Sequence, residues 1–181
     1  MAKIIVITGP SGVGKKEIIS DLVASFDRLS YIPTLTTRKS RTLGDNMYEF
    51  VNEEEFFNLV ENNSFLEYKT IGGHNYGTLI RQLDKTVNSD TLGIISVDID
   101  GAVSIKSIYT DNVVVVFVAP PSTEHLQESL RRKNISAHEI HHRVNLYEGM
   151  KHQMHEADFT IVNVSRANTV KLIGQIIKNI E

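Results

Sequence analysis

The chain has 181 residues, a formal net charge of −3 at pH 7 and 41% hydrophobic residues, which is the composition of a soluble globular protein. This length fits a single domain with a sizeable core, and the slight acidity argues against general nucleic-acid binding. There is no cysteine, which excludes disulfides and thiol chemistry. Because no signal-peptide pattern and no membrane-spanning apolar run occur, we expect a cytoplasmic protein with no membrane and no nucleic-acid partner.

Strand-like apolar runs alternate with helical patterns along the chain, which predicts an α/β fold with a largely parallel sheet. Core strands are predicted at 3–8, 92–98, 112–118 and 158–162. Short strands at 31–37, 48–51, 64–70 and 74–78, with a helix at 53–61, predict a small β-rich insertion. Further helices are predicted at 16–23, 79–86, 104–109, 123–132, 136–156 and 164–180.

A glycine-rich loop follows the first strand, and it consists of Gly9, Pro10, Ser11, Gly12, Val13, Gly14 and Lys15. Strand, glycine loop, lysine and helix in this order let backbone N–H groups surround a phosphate chain, with the helix N-terminus directed at it. The spacing, the flanking strand and the following helix favour this P-loop over an ordinary turn. The motif requires Ser or Thr after the lysine as a ligand for Mg²⁺, but here the residue is Lys16.

Two arginines follow in a polar segment, Arg38 and Arg41, three residues apart. Guanidinium groups bind the oxygens of a phosphate monoester in a bidentate manner, although a solvated basic turn remains an alternative reading of this segment.

Glu67 is flanked by apolar residues and lies close to a glycine hairpin, so it can form the floor of a pocket. Its carboxylate can accept two hydrogen bonds from the ring N–H and amino group of guanine, a pair of donors that adenine lacks. The alternative is an edge-strand glutamate that faces water.

These motifs, in their order and spacing, resemble the guanylate kinases, which are P-loop enzymes that transfer the γ-phosphoryl group of ATP to GMP. The resemblance extends from Ile4 to about Ile177. It implies a P-loop NTPase-type parallel sheet flanked by helices, with a core at 1–32, 79–122 and 157–181, a GMP-binding insertion at 33–78 and a helical lid at 123–156. It also implies Mg²⁺ as the cofactor, ATP and GMP as small-molecule partners, and a monomer or homodimer.

The resemblance also implies roles for individual residues. The ATP site would comprise the loop from Gly9 to Lys15 together with Lys16, Arg132, Lys133 and Asn163. The GMP site would comprise Thr34, Arg38, Arg41, Tyr48, Glu67, Tyr76, Gly77, Thr78 and Asp98. Catalytic roles fall to Lys15, Arg38, Asp98 and Arg143.

The sequence departs from the family pattern at several positions. Lys16 replaces the Mg²⁺-binding hydroxyl, so the sequence predicts that Lys16→Ser raises Mg²⁺-dependent turnover. The arginine loop is two residues shorter than usual, and Asp45 is the candidate for its missing glutamate. The family's Asp-x-Asp motif aligns either without a gap, which retains Asp98 and which we prefer, or with a gap, which pairs Asp98 with Asp100.

The lid departs as well, since Ser129 and Lys133 occupy two positions where the family has arginines, with Arg131 and Arg132 adjacent. These departures motivate an alternative, a catalytically weak or inactive module that binds a nucleotide or a protein.

The segment from His138 to His142 also matches the zinc-protease motif H-E-x-x-H. Five-residue motifs recur by chance, and the resemblance places this one on the lid, so we expect no protease activity.

Overall fold

The computed structural model describes residues 3–40, 45–133 and 135–180, and it contains two sheets. The strands are β1 (Ile4–Thr8), β2 (Leu29–Tyr31), β3 (Thr34–Thr36), β4 (Tyr48–Phe50), β5 (Phe65–Ile71), β6 (His74–Leu79), β7 (Leu92–Ser96), β8 (Val113–Ala119) and β9 (Phe159–Val162). The helices are α1 (Lys15–Ser25), α2 (Glu53–Glu61), α3 (Ile80–Val87), α4 (Ile99–Tyr109), α5 (Thr123–Arg131), α6 (Ala137–Met150) and α7 (Arg166–Ile180). Two 3-10 helices lie at Thr110–Asn112 and Lys151–Glu156.

The larger sheet is parallel, with the strand order β2-β7-β1-β8-β9. All five residues of its central strand β1 are buried, and alternate side chains of β1 serve opposite faces. Ile5 and Ile7 pack with α1 and α7, whereas Ile4 and Val6 pack with α3 and α4. Since the strands are parallel, the loops after β1, β7 and β8 leave the sheet at the same edge, where ligands bind in open α/β sheets.

The smaller sheet has the strand order β4-β3-β6-β5 and carries two different faces. Leu35 and Leu79 lie on its apolar face, where they pack with the buried Phe56 of α2. The alternation of strand side chains leaves a polar face on the opposite side. The polar face carries Thr34, Thr36, Tyr48, Glu67, Lys69, Tyr76 and Thr78.

The predicted α/β fold with a parallel sheet is confirmed, but some predicted elements were wrong in extent. The strand predicted at 31–37 is interrupted at Pro33: Tyr31 is the last residue of β2 in the parallel sheet, and only Thr34–Thr36 form β3 of the smaller sheet. Proline lacks an N–H and interrupts the ladder at that point. The helix predicted at 104–109 begins at Ile99, because Asp98 caps it by accepting a hydrogen bond from the N–H of Gly101.

The lid segment packs on the core rather than standing apart from it. Leu126 and Leu130 of α5 and Val144 of α6 share one buried cluster with Ile99 and Phe117. The helix predicted at 136–156 ends at Met150 and continues as a 3-10 helix. The boundaries of core, insertion and lid stay predictions. No helix in the described part of the chain is long and apolar enough to cross a membrane.

Candidate active site

The glycine loop joins β1 to α1 and has positive φ angles at Gly9, Gly12 and Gly14. Gly9 has a φ of 134°, and a Cβ atom there would lie 2.2 Å from the carbonyl oxygen of Val118. Gly14 has a φ of 98° and precedes the first residue of α1. The first N–H groups of α1 have no intrahelical acceptor, so they are available to bind an anion.

Lys15 lies folded over this loop. Its Nζ donates hydrogen bonds to the carbonyl oxygens of Gly9, at 2.5 Å, and Pro10, at 3.0 Å. Burial, together with the nearby charge of Lys133, lowers the pKa of Lys15 to about 8, while Asp98 acts in the opposite direction. The loop therefore holds a cation whose charged form is favoured by an incoming phosphate group.

The lowered pKa of Lys15 predicts that ATP binding takes up a proton near pH 8. At that pH about half of the Lys15 side chains are neutral in the free protein, and bound phosphates restore their charge. Calorimetric titration in buffers of different ionisation enthalpy should show an uptake of about half a proton near pH 8 and almost none near pH 6. Lys15→Met reports the contribution of ATP itself, and an equal uptake in this variant would contradict the prediction.

Three polar side chains from later elements close around the loop. Arg143 of α6 donates from Nη1 to the hydroxyl oxygen of Ser11 at 3.0 Å. Ser129 of α5 donates to the carbonyl of Gly12 at 2.8 Å, and Asn163 donates to the carbonyl of Val13 at 2.8 Å. The structure thus brings the predicted residues Arg143 and Asn163 to the loop. Ser129, which occupies a position where the family resemblance implies an arginine, also contacts the loop through its hydroxyl.

A cavity of about 210 Å³ lies beside the loop, on the side of β8 and α5. It is lined in part by Gly12, Pro120, Pro121, Lys133, Asn163 and Arg166. The predicted ATP-site residues Lys133 and Asn163 are therefore placed together.

Arg132 is not placed with them. Its Nη2 lies 3.7 Å from Glu128 in an exposed pair, and it is absent from the residues that line the cavity. Its assignment to ATP stays a prediction without a contact at the site.

Arg38 is the centre of the second predicted site, and it is buried. Its Nη2 donates to Asp45 Oδ2 at 2.9 Å, and its guanidinium lies 4.7 Å from the centre of the Tyr48 ring. The Tyr48 ring in turn meets Tyr76 edge to face. The second arginine of the prediction, Arg41, lies outside the described residues.

Asp45 is held as an anion in this environment. Burial acts to raise the pKa of Asp45, but hydrogen bonds from Arg38 and Lys16 outweigh burial, and the pKa lies below its usual range. Burial likewise acts to lower the pKa of Arg38, and the pairing with Asp45 outweighs it, so the pKa of Arg38 is raised. Both groups are therefore charged at neutral pH.

Glu67 and Thr78 face each other across the β5–β6 pair. The hydroxyl of Thr78 donates to Glu67 Oε1 at 2.7 Å, and burial raises the pKa of Glu67. Thr34 lies on the same polar face, in register with Tyr48. The position of Gly77 faces the opposite side of the sheet. A Cβ atom there would approach Phe65 to 2.6 Å, so the packing of Phe65 requires glycine at this position.

Both carboxylate oxygens of Asp98 accept hydrogen bonds from other residues of the protein. Oδ1 accepts from the N–H of Gly101, and Oδ2 accepts from the ammonium of Lys69. Lys69 also lies 3.4 Å from Asp100. The sequence interpretation missed Lys69, although its position two residues after Glu67 places both side chains on one strand face.

In the described part of the chain, the side chains expected to serve Mg²⁺ are engaged in other contacts. The ammonium of Lys16 replaces the hydroxyl ligand, and Asp98 is paired with Lys69. Among residues 3–40, 45–133 and 135–180, no group of three or more His, Cys, Asp or Glu side chains could hold a metal ion. Accordingly, the described residues at and around the H-E-x-x-H motif form no zinc site. Glu139 of this motif instead accepts a hydrogen bond from Arg143 at 2.7 Å.

The parallel sheet, the glycine loop and its lysine define a P-loop protein of the α/β class. A guanylate kinase family model matches residues 1–180 of the chain. The chain is 32% identical to a guanylate kinase of Thermotoga maritima over 98% of its own length and 86% of that protein. It is 33% identical to a guanylate kinase of Malacoplasma penetrans, over 97% and 92% of the two chains.

The fold is similar to that in the crystal structure of guanylate kinase from Anaplasma phagocytophilum, with a TM-score of 0.78 at 24% identity. That likeness covers 98% of this chain and 85% of the other. The chain belongs to the guanylate kinase family.

Proposed function

We propose that this chain is a guanylate kinase, which transfers the γ-phosphoryl group of ATP to GMP and forms ADP and GDP. The observation that carries the proposal is that the buried Arg38 is joined through Asp45 to Lys16, the residue that follows the loop lysine. A guanidinium clamp and a backbone anion site therefore share one cleft. Family membership does not favour the alternative of an inactive binding module.

Phosphoryl transfer depends mainly on positioning and on neutralising charge. In this proposal, Lys15 and the N–H groups of α1 bind the phosphates of ATP, while Arg38 and Arg41 bind the phosphate of GMP. An oxygen of that phosphate attacks the γ-phosphorus, and the bond between the γ-phosphorus and its bridging oxygen to the β-phosphate breaks. Arg143 contributes positive charge from the lid, which excludes water so that ATP is not hydrolysed.

Other site residues orient the acceptor nucleotide. Tyr48 and Tyr76 contact its phosphate beside Arg38, and Glu67 with Thr78 and Thr34 binds the guanine base. Asp98 positions GMP from the start of α4. Lys133, Asn163 and Arg132 serve ATP on the lid side.

The remaining expectations come from the family. Mg²⁺ accompanies ATP in this proposal, and because the residues that the structure describes form no metal-binding cluster, we assign no step to a protein-bound metal. A cytoplasmic location and a monomer or homodimer stay predictions.

The function is tested by incubating the chain with ATP, GMP and Mg²⁺ and measuring GDP formation by chromatography. We expect stoichiometric formation of ADP and GDP, and much slower ADP formation when GMP is omitted. Absence of GDP at micromolar protein, together with GMP binding in calorimetry, would establish the inactive binding module instead.

Glu67→Gln is expected to weaken GMP binding by about 10- to 100-fold, because an amide cannot accept both hydrogen bonds from the guanine edge. ATP affinity should change less than about twofold, since Glu67 belongs to the smaller sheet and not to the glycine loop. Calorimetry with each nucleotide measures both values, and Glu61→Gln at the end of α2 is the matched control. Equal losses for GMP and ATP would contradict the role of Glu67 in reading the base.

A further inference from the structure

Three charged side chains form a continuous bridge between the two halves of the cleft. Lys16 Nζ lies 3.1 Å from Asp45 Oδ1, and Arg38 Nη2 lies 2.9 Å from Asp45 Oδ2. The side chains of Asp45 and Arg38 are only 3% and 8% exposed, whereas that of Lys16 is 58% exposed. Lys16 belongs to the first turn of α1, and Arg38 follows β3 of the smaller sheet.

This bridge explains where Lys16 directs its charge. The hydroxyl at this position of the motif serves the ATP side, but the lysine side chain reaches across the cleft to the GMP side. Both oxygens of Asp45 are thereby occupied, which restricts the carboxylate to one orientation. Because Asp45 in turn accepts from Arg38, its orientation sets that of the guanidinium.

The charge balance of the bridge also depends on Lys16. Asp45 and Arg38 alone form a neutral pair, which has little net attraction for a phosphate dianion. With Lys16 the cluster of three has a net charge of +1. The buried carboxylate can therefore orient Arg38 without cancelling the positive charge that the GMP phosphate meets.

We propose that Lys16 is a positioning residue for the GMP phosphate, which acts through Asp45 to orient Arg38 and to keep this cluster positive. The inference rests on the proposed function and adds a role that the glycine-loop motif does not contain. The sequence alone predicts higher Mg²⁺-dependent turnover for Lys16→Ser. The proposed role predicts weaker GMP binding in this variant, because serine is too short to reach Asp45.

Lys16→Met is the decisive variant, since methionine is similar to lysine in length but has no charge and adds no hydroxyl. We expect GMP to bind about three- to tenfold more weakly, a moderate loss because Lys16 is partly exposed to solvent screening. The KM for GMP should rise by the same factor. ATP affinity should change less than about twofold, and Lys16→Arg should restore GMP affinity to within about twofold.

A double-mutant cycle with Asp45→Asn tests the route through Asp45. In the Asp45→Asn background, Lys16→Met should weaken GMP binding less than it does in the wild type, because the route through Asp45 is already broken and Arg38 is no longer neutralised. Thermal unfolding of each variant verifies that the fold persists.

An unchanged GMP affinity in Lys16→Met, or a full additional loss in the Asp45→Asn background, would overturn the inference. A loss confined to ATP affinity would also overturn it, because Lys16 would then act on ATP directly.

The binding measurements separate this inference from the proposed function. If the wild-type chain binds GMP but forms no GDP, the function fails, while the affinities of the variants still decide the role of Lys16. If the wild-type chain is active and Lys16→Met binds GMP normally, only the role of Lys16 fails.

Discussion

Lys15→Met is expected to lower kcat by about 10²- to 10³-fold, which is the usual cost of removing one preorganised charge from a transition state. Lys15 lies over the glycine loop, and in the proposed function it contacts the phosphates between which charge shifts during transfer. The remaining N–H groups of the loop still bind ATP, so the loss should be larger in kcat than in ATP affinity. Initial rates at saturating ATP and GMP measure the effect.

Lys171→Met is the matched control for Lys15→Met, because Lys171 is exposed on α7 and its substitution removes the same charge from the chain. Its kcat should remain within about twofold of wild type. The account would be contradicted if Lys15→Met kept more than half of the wild-type kcat, since the loop would then bind ATP without a contribution from its lysine.

Arg38→Met is expected to lower kcat/KM for GMP by about 10²- to 10³-fold, the range found when a buried, hydrogen-bonded charge partner is truncated. The variant loses the guanidinium fork that we propose to bind the GMP phosphate, and it leaves the buried Asp45 with Lys16 alone. The KM for ATP should change little, because Arg38 does not contact the glycine loop directly. Steady-state kinetics with each substrate varied in turn separate these two effects.

Arg38→Lys separates charge from geometry at the same position. A lysine keeps the positive charge but lacks the planar fork, so we expect kcat/KM for GMP to lie between the wild-type and Arg38→Met values. Thermal unfolding of both variants shows whether the domain still folds. Equal losses for GMP and ATP in Arg38→Met would indicate a general collapse of the cleft rather than loss of a phosphate clamp.

The fold was predictable where its elements follow one another directly in the sequence. The β-branched run of β1, the glycine loop and α1 are contiguous, so their pattern could be read directly from the sequence. The strand β2 was not foreseen, because three residues before Pro33 are too short for a periodic signal. The start of α4 was also missed, since its cap depends on the side chain of Asp98 and not on hydrophobic periodicity.

Candidate site residues could be named from the sequence, but the contacts among them could not. The spacing of Arg38, Glu67 and the glycine loop could be recognised, whereas the contact of Lys16 with Asp45 joins residues 29 positions apart. From the sequence alone, Lys16 is a departure that disfavours Mg²⁺, because its partner Asp45 is not visible there. The pairing of Lys69 with Asp98 is likewise a long-range contact that only the packing of β5 near α4 reveals.

The central claim is that the loop with Lys15 and the clamp with Arg38 bind two nucleotides in one cleft. Calorimetry with a bisubstrate compound, adenosine and guanosine joined by an oligophosphate chain, tests this claim most directly. We expect that one molecule binds per chain and competes with both ATP and GMP. Binding of two molecules per chain, or competition with only one of the two nucleotides, would contradict it.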